Sequence, residues 1–425
     1  MFDRPTDTED TQSTTDRETK SIGSTRSSHR DERGISNVVS IVVLLGFITV
    51  AFTTLQTTKA PQLREETEFG HARDITAAML EAHGRTLAVA NNGGGQASVL
   101  PMGSNYPEAV ILIQPAGPSG TLQTSESRDL VIENAEATKP ETADYYDGSD
   151  ATYTTTSLRY SPNYIEYQEN GDTVISGLTA YKDYETNVEV QSQSEAVEGR
   201  QLNLITTTGD ISVGQSTPLV LKQRPLSAST ETIRVSDDGN PIRIKIDSEL
   251  PLSSWERALS SEIDPGPDDE ADKYVDDVRK SGGTVTIELE TGYTYSLNMA
   301  RVGFRTGQQP GFAPSQTPDA AYITNDMSRT VTIDEGETAD LRSVVRDAYN
   351  NPYRDGVVVE AFVTGRGSIQ GDSQKTSLPD GTATFTYRAP NNVNADTSAT
   401  VLVRFGGAQP ESVRFTVNIR NADGS

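Results

Sequence analysis

The 425-residue chain contains no cysteine. That excludes disulfides, thiolate nucleophiles, iron–sulfur clusters and cysteine zinc sites. Histidine is nearly absent: His29, His71 and His83 are the three. They leave little room for imidazole metal sites or a Ser-His-Asp triad. No Gly-rich phosphate loop, G-x-S-x-G elbow or H-E-x-x-H pair occurs. These gaps predict a protein that is not an enzyme, with no catalytic, cofactor-binding or metal-binding residues. Lysine is scarce as well, because most of the 36 basic residues are arginine. Against them stand 61 carboxylates, a formal charge of 36 − 61 = −25. Such a surface repels phosphates, so nucleic acid is not an expected partner. At 1 M salt the repulsion among carboxylates is screened to within roughly 3 Å. Many carboxylates with few lysines suit a halophile, and the bland alternative is an ordinary acidic extracellular protein. Apolar residues make up 34% of the chain, lean for a packed globule but sufficient for folded domains. The length suggests two or three of them.

What is present is one long uncharged run. Ile35 to Leu55 reads ISNVVSIVVLLGFITVAFTTL. At about 1.5 Å per residue a helix of this length spans roughly 30 Å, the thickness of the hydrocarbon layer. Before it lie 34 polar residues, too poor in apolar mass to fold, ending in Asp31-Glu32-Arg33-Gly34. A secretory signal has its small residue after the apolar core, whereas here it precedes the core. Arg26, Arg30 and Arg33 before the run, against Lys59 and Arg64 after it, give a slight preference for a cytoplasmic N-terminus.

Arg33-Gly34-Ile35-Ser36 followed by the apolar run resembles the class III signal peptide of archaeal type IV prepilins. The resemblance implies cleavage between Gly34 and Ile35 by a membrane prepilin peptidase. It also implies that the helix is kept as an anchor or as part of a filament with other pilin-like subunits. The match departs from the pattern at Asn37, where many archaeal pilins carry proline, and at Val39, where bacterial pilins carry glutamate. The processing residues are therefore Arg33, Gly34 and Ile35. The alternative is an uncleaved single-span surface binding or receptor protein with no role in filament assembly.

Residues 64–83 place Phe69, Ala72, Ile75, Met79 and Ala82 at helical spacing. This predicts an amphipathic helix that continues the membrane helix after a kink or lies over the next domain. Glu68-x-x-His71 has the spacing of a di-iron ligand pair, but no second copy exists, since Leu80 stands three residues before His83. Short β-rich runs follow, at 109–114, 129–134, 157–168, 186–191 and 200–208, punctuated by Gly, Asn, Asp and Pro. Six tyrosines between Tyr145 and Tyr167 read as strand packing with wet hydroxyls, or alternatively as a stacking surface. Gly103, Tyr106 and Pro107 resemble a G-x-x-Y-P segment of large pilin-like haloarchaeal proteins, for which no activity is implied. Residues 232–246 read as a hairpin, 250–263 as a helix capped by Ser253 or Ser254, and Tyr274–Lys280 as a short helix. Residues 284–304 read as a closing strand pair. Three acidic loops, at Asp144–Asp150, Asp237–Asp238 and Asp268–Asp272, lack EF-hand spacing.

The linker at 306–325 is rich in Pro, Gly and Gln at its start. Beyond it, about seven alternating segments predict a β-sandwich. Asp347, Asn350-x-Pro352, Gly356-Val357-x-Val359 and Asp380-Gly381-x-Ala383 before Phe385 and Tyr387 resemble bacterial Ig-like modules of invasin and intimin type. Those residues serve turns and core.

The fold expected is mainly β. It consists of a cytoplasmic leader 1–34, a transmembrane pilin-like helix 35–58, a β-rich pilin-like head with a few helices at 59–305, the linker, and an Ig-like β-sandwich at 326–421. The function expected is that of a single-pass cell-surface structural or adhesive protein, with the membrane as partner, an unread surface ligand, and its bulk outside the cell.

Overall fold

The computed structural model describes residues 32–107, 115–143, 145–264, 273–307, 311–406 and 411–421, with side chains from Val38 onward. The strand expected at 109–114 lies outside them. Two bodies are present, Met1–Thr58 and Lys59–Ser425.

The first body is a helix, α1, Glu32–Thr54. Its ten large apolar side chains from Val38 to Val50 are each more than half exposed. Burying them at about 1.5–3 kcal/mol each would release roughly 15–30 kcal/mol, more than a whole domain's net stability. The threonine hydroxyls bond back along the helix, Thr49 to the Leu45 carbonyl and Thr53 to the Thr49 carbonyl. No hydroxyl at those positions then needs water, which removes the main cost of threonine in lipid. Among the described residues, this is the helical stretch apolar enough to cross a membrane. A five-residue π-helical turn, Leu55–Lys59, follows.

The second body opens with α2, Ala60–Asn92, which runs further in both directions than the expected 64–83. Pro61 starts this helix rather than stopping one, because a first-turn proline lacks only an N–H that would go unused. At the far end Thr86, Val89 and Ala90 extend the buried stripe, and Gly93 closes the helix in the left-handed region. Ile75, Met79 and Ala82 pack into a core with Leu100, Tyr160 and Phe304.

Three sheets form the head. The first has seven strands around Thr294–Thr306, a 13-residue strand. This strand runs antiparallel to Leu219–Ser227 and parallel to Gln201–Gly209. Six strands, from Ser212–Gln215 to Val188–Gln193, make the second sheet. Five make the third, including Arg128–Glu133, Arg243–Asp247 and Thr284–Leu289.

Several local expectations are corrected. Ile233–Asp237 and Arg243–Asp247 are not a hairpin, since they pair into different sheets. Thr284–Leu289 and Thr294–Thr306 are likewise separated between two sheets. The expected helix at Tyr274–Lys280 is instead the strand Val275–Ser281. A register shift between Val275 and Asp277 turns both Val275 and Val278 inward, and that i,i+3 spacing imitates a helix. The helix of 250–263 is only Leu252–Ala258, and its N-cap is Pro251, with no serine cap bond.

The C-terminal unit is a two-sheet sandwich. Ala320–Asn325, Thr338–Asp347, Thr382–Arg388 and Ser368–Gln370 form one sheet. Thr330–Asp334, Glu411–Arg420, Thr397–Phe405, Val358–Thr364 and Gln374–Thr376 form the other. Leu341, Phe385, Val401 and Phe415 meet in its core. The stretch Ala320–Asn325, expected as linker, is a strand of this unit, because Tyr322 and Ile323 are buried within it.

Head and sandwich are fused rather than strung together. The loop Asp347–Asn351 enters the head. Tyr349 places its hydroxyl 2.9 Å from Thr206 Oγ1 and 2.7 Å from Arg301 Nη1. Asn351 donates to Ser227 Oγ and to the Met299 carbonyl, both at 2.8 Å. Tyr145 of the head stacks on Tyr322 of the sandwich. Arg301 is 6% exposed and is solvated by the carbonyls of Gln316 and Thr154.

Candidate functional site

The residues expected to direct processing, Arg33, Gly34 and Ile35, fall in the first turn of α1, with helical backbone. The helix begins at Glu32, three residues ahead of the expected start at Ile35. The Gly34–Ile35 bond thus stands three residues before Val38, where the exposed apolar side chains begin.

A second cluster sits on α2, one turn apart, at Arg64, Glu68 and His71. Glu68 is completely buried. One carboxylate oxygen accepts the Tyr106 hydroxyl and the Ile165 N–H, the latter at 2.9 Å. The other accepts the N–H groups of Glu166 and Tyr167, at 2.8 and 2.7 Å. Three successive amides therefore close around one carboxylate as an anion nest. Burial would raise the Glu68 pKa, but the Tyr106 hydroxyl and the three amides outweigh it and leave it lowered. Tyr106 in turn is pushed up, first by burial and then by its bond to Glu68. Arg64 adds an ion pair to Glu166 at 3.3 Å, and Phe69 meets Tyr167 edge-on.

His71 Nε2 lies 2.7 Å from the Pro101 carbonyl, and Nδ1 lies 2.7 Å from the Tyr164 hydroxyl. A carbonyl can only accept, so Nε2 carries the proton and Nδ1 accepts from tyrosine. Burial lowers the pKa of His71 and favours this neutral form. Both nitrogens are committed, and Glu68 is saturated, so the pair has no lone pair to offer a metal. His83, wholly buried one turn before Thr86, also has its pKa lowered by burial.

The structure gives the G-x-x-Y-P segment a mechanical meaning. Tyr106 reaches Glu68, while Gly103 lets two backbones touch. A Cβ on Gly103 would stand 2.4 Å from the Pro118 carbonyl oxygen and 2.7 Å from Ser216 Cα. The tyrosines divide into two groups. Tyr160, Tyr164 and Tyr167 surround the Glu68–His71 face of α2. Tyr145, Tyr146 and Tyr153 stand at the joint with the sandwich, where Tyr153 also meets Tyr349. Packing, rather than a stacking platform, is their role. The nest amides at 165–167 left no mark in the sequence beyond Pro162-Asn163 ending a strand. The joint role of Tyr349 and Asn351 was hidden inside a turn motif.

Of the acidic loops, Asp237 accepts from the Gly239 and Gly292 amides, and Asp238 from Asn240. Asp147 accepts from Ser149. Asp144 and residues 265–272 lie outside the described residues. Among the described residues no three acidic or histidine side chains gather as a metal cage.

No protein-family model matches the chain, and no curated protein matches it. Solved structures share parts of it. Domains 4 and 5 of the S-layer protein SbsC are 19% identical, with 32% of this chain and 65% of that one covered and a TM-score of 0.18. The D00-D0 domain of intimin is 11% identical, with 44% and 92% covered and a TM-score of 0.22. A PapD-like domain of human CEP192 is 10% identical, with 28% and 99% covered and a TM-score of 0.19. The chain spans less than two thirds of the SbsC structure. Scores of this size carry no functional weight.

Proposed function

We propose that this chain is a prepilin-like, cell-surface structural or adhesive protein. In this reading it is cut between Gly34 and Ile35, and α1 stays as its membrane anchor or joins a filament with other pilin-like subunits. The N-terminus is cytoplasmic and the β-rich bulk extracellular. No catalysis, cofactor or nucleic acid enters the reading. One observation carries it: the apolar run of α1 begins directly after Arg33-Gly34, and its large side chains are exposed in the folded chain. Two features support it. An amphipathic helix lies against the first sheet of the head, and a β-sandwich of Ig-like kind follows, an architecture that serves spacers and adhesive units.

Mass spectrometry of the membrane-bound protein tests the reading. Ile35 is the expected N-terminus, and deletion of the host's prepilin peptidase is expected to leave Met1-containing chains. An intact leader in cells with active peptidase would favour the uncleaved single-span binding protein instead.

A further inference from the structure

A cleft of about 370 Å³ opens where the head meets the sandwich. Lys139, Arg234, Arg329 and Arg346 line it, with two carboxylates, Glu141 and Glu231. Its formal balance is 4 − 2 = +2, in a chain whose total is −25. Arg329 pairs with the buried Glu141. Arg346 is held in place by Thr324 Oγ1 at 3.0 Å and the Asn350 carbonyl at 2.9 Å, with Glu231 at 3.6 Å. Lys139 and Arg234 are exposed and, among the described residues, have no carboxylate partner. Thus two of the cations carry carboxylate partners and, among the described residues, two exposed ones do not.

We propose that this cleft binds an acidic sugar, a glycan unit bearing a carboxylate or sulfate group. A planar guanidinium fork matches an oxyanion, and the free lysine adds a mobile charge. Thr232 and Asn325 line the same cleft, where the Asn325 carboxamide oxygen can accept from a sugar hydroxyl. The volume is that of a small-molecule site, too small for a folded partner. Carboxylates elsewhere on the surface repel a polyanion, so a cleft of reversed sign favours docking of a chain with spaced charges there. Head and sandwich both supply residues, so the site exists only while the two are fused. This inference deepens the adhesive half of the function proposed above. It is read independently of processing, because binding is measured on cut and uncut chains alike.

The full chain in detergent is titrated calorimetrically at low salt with a tetragalacturonate, a sulfated oligosaccharide, a neutral oligosaccharide of equal length, sodium sulfate and a short single-stranded DNA. Binding of either acidic sugar, weakening as salt is added, is expected. The double variant Lys139→Gln/Arg234→Gln is expected to bind about fivefold more weakly or worse, from two exposed charge contacts, at an unchanged melting temperature. Failure of both acidic sugars, equal binding of the neutral sugar, sulfate binding as tightly as the oligosaccharides, tighter binding of DNA, or an unaffected double variant would each overturn the proposal.

Discussion

Replacing Glu68 by alanine removes a carboxylate that four donors share. Tyr106 and the amides of Ile165, Glu166 and Tyr167 lose their acceptor. Each hydrogen bond to a charged group is worth about 1.5–3 kcal/mol, but such bonds do not add, and residues 165–167 sit near enough to solvent to recover some water. The expected loss is about 3–5 kcal/mol. The second body has 367 residues, from 425 − 58. At about 2.1 cal/mol/K of unfolding entropy per residue, that loss lowers the melting temperature by about 4–6 °C. Glu68→Gln is milder. With its NH₂ turned toward Tyr106, whose hydroxyl can rotate to accept, only the Ile165 N–H faces a donor, and about 1–2 kcal/mol is expected. Thermal unfolding of the full chain, with hydrogen exchange of the 164–168 segment, reads both effects. If Glu68→Ala melts within about 1 °C of wild type and the segment keeps its protection, the carboxylate does not hold α2 to the head, and the reasoning fails.

Further outcomes concern the joint and the turn. Asp347 is buried, and burial pushes its carboxyl up to about 6, although the Ser227 hydroxyl and the Asn351 and Tyr349 amides pull the other way. Its unfolded value is about 3.9, so the native state holds the extra proton and stability falls as pH rises from about 4 to 6. Asp347→Asn is expected to melt higher at pH 7 and to flatten that slope in a pH series of melting curves. Glu68 has the opposite sign: its lowered pKa stabilises the fold above the ordinary glutamate value and is lost as pH falls below it. Tyr349→Phe leaves Thr206 and the buried Arg301 short of a partner, and about 1–3 kcal/mol should disappear, seen in calorimetry as an earlier transition of the sandwich. Gly103→Ala drives a Cβ into backbone on two sides and is expected to cost about 1–3 kcal/mol in urea unfolding.

Legibility differed by the range of the physics. The apolar run needed no partner to be recognised, and the alternation of the C-terminal strands carried its own period, so both were read from local sequence. Val275 and Val278 misled because a bulge puts an i,i+3 pair on one face of a strand. The separation of Ile233–Asp237 from Arg243–Asp247 was decided by partners far along the chain, Thr294–Thr306 and Thr284–Leu289, which no local turn signal encodes. The spacing of Glu68 to His71 suggests only a di-iron half-pair, which the missing second copy excludes, so no role for Glu68 is legible in the sequence. Three of its four real partners are backbone amides about 100 residues away, which carry no side-chain signature. Ala320–Asn325 was hidden because its apolar residues follow a Pro-rich stretch without a break.

The long strand Thr294–Thr306 also sets a timetable. The cover over the apolar stripe of α2 around Met79 is completed only when Phe304 arrives, 304 − 79 = 225 residues later. At about 5–20 residues per second that interval is roughly 11–45 s of synthesis. During it an amphipathic helix directly behind an apolar segment lacks the central strand of the first sheet it rests on. Slowing elongation between residues 79 and 304 is therefore expected to raise the loss of the nascent chain to proteolysis.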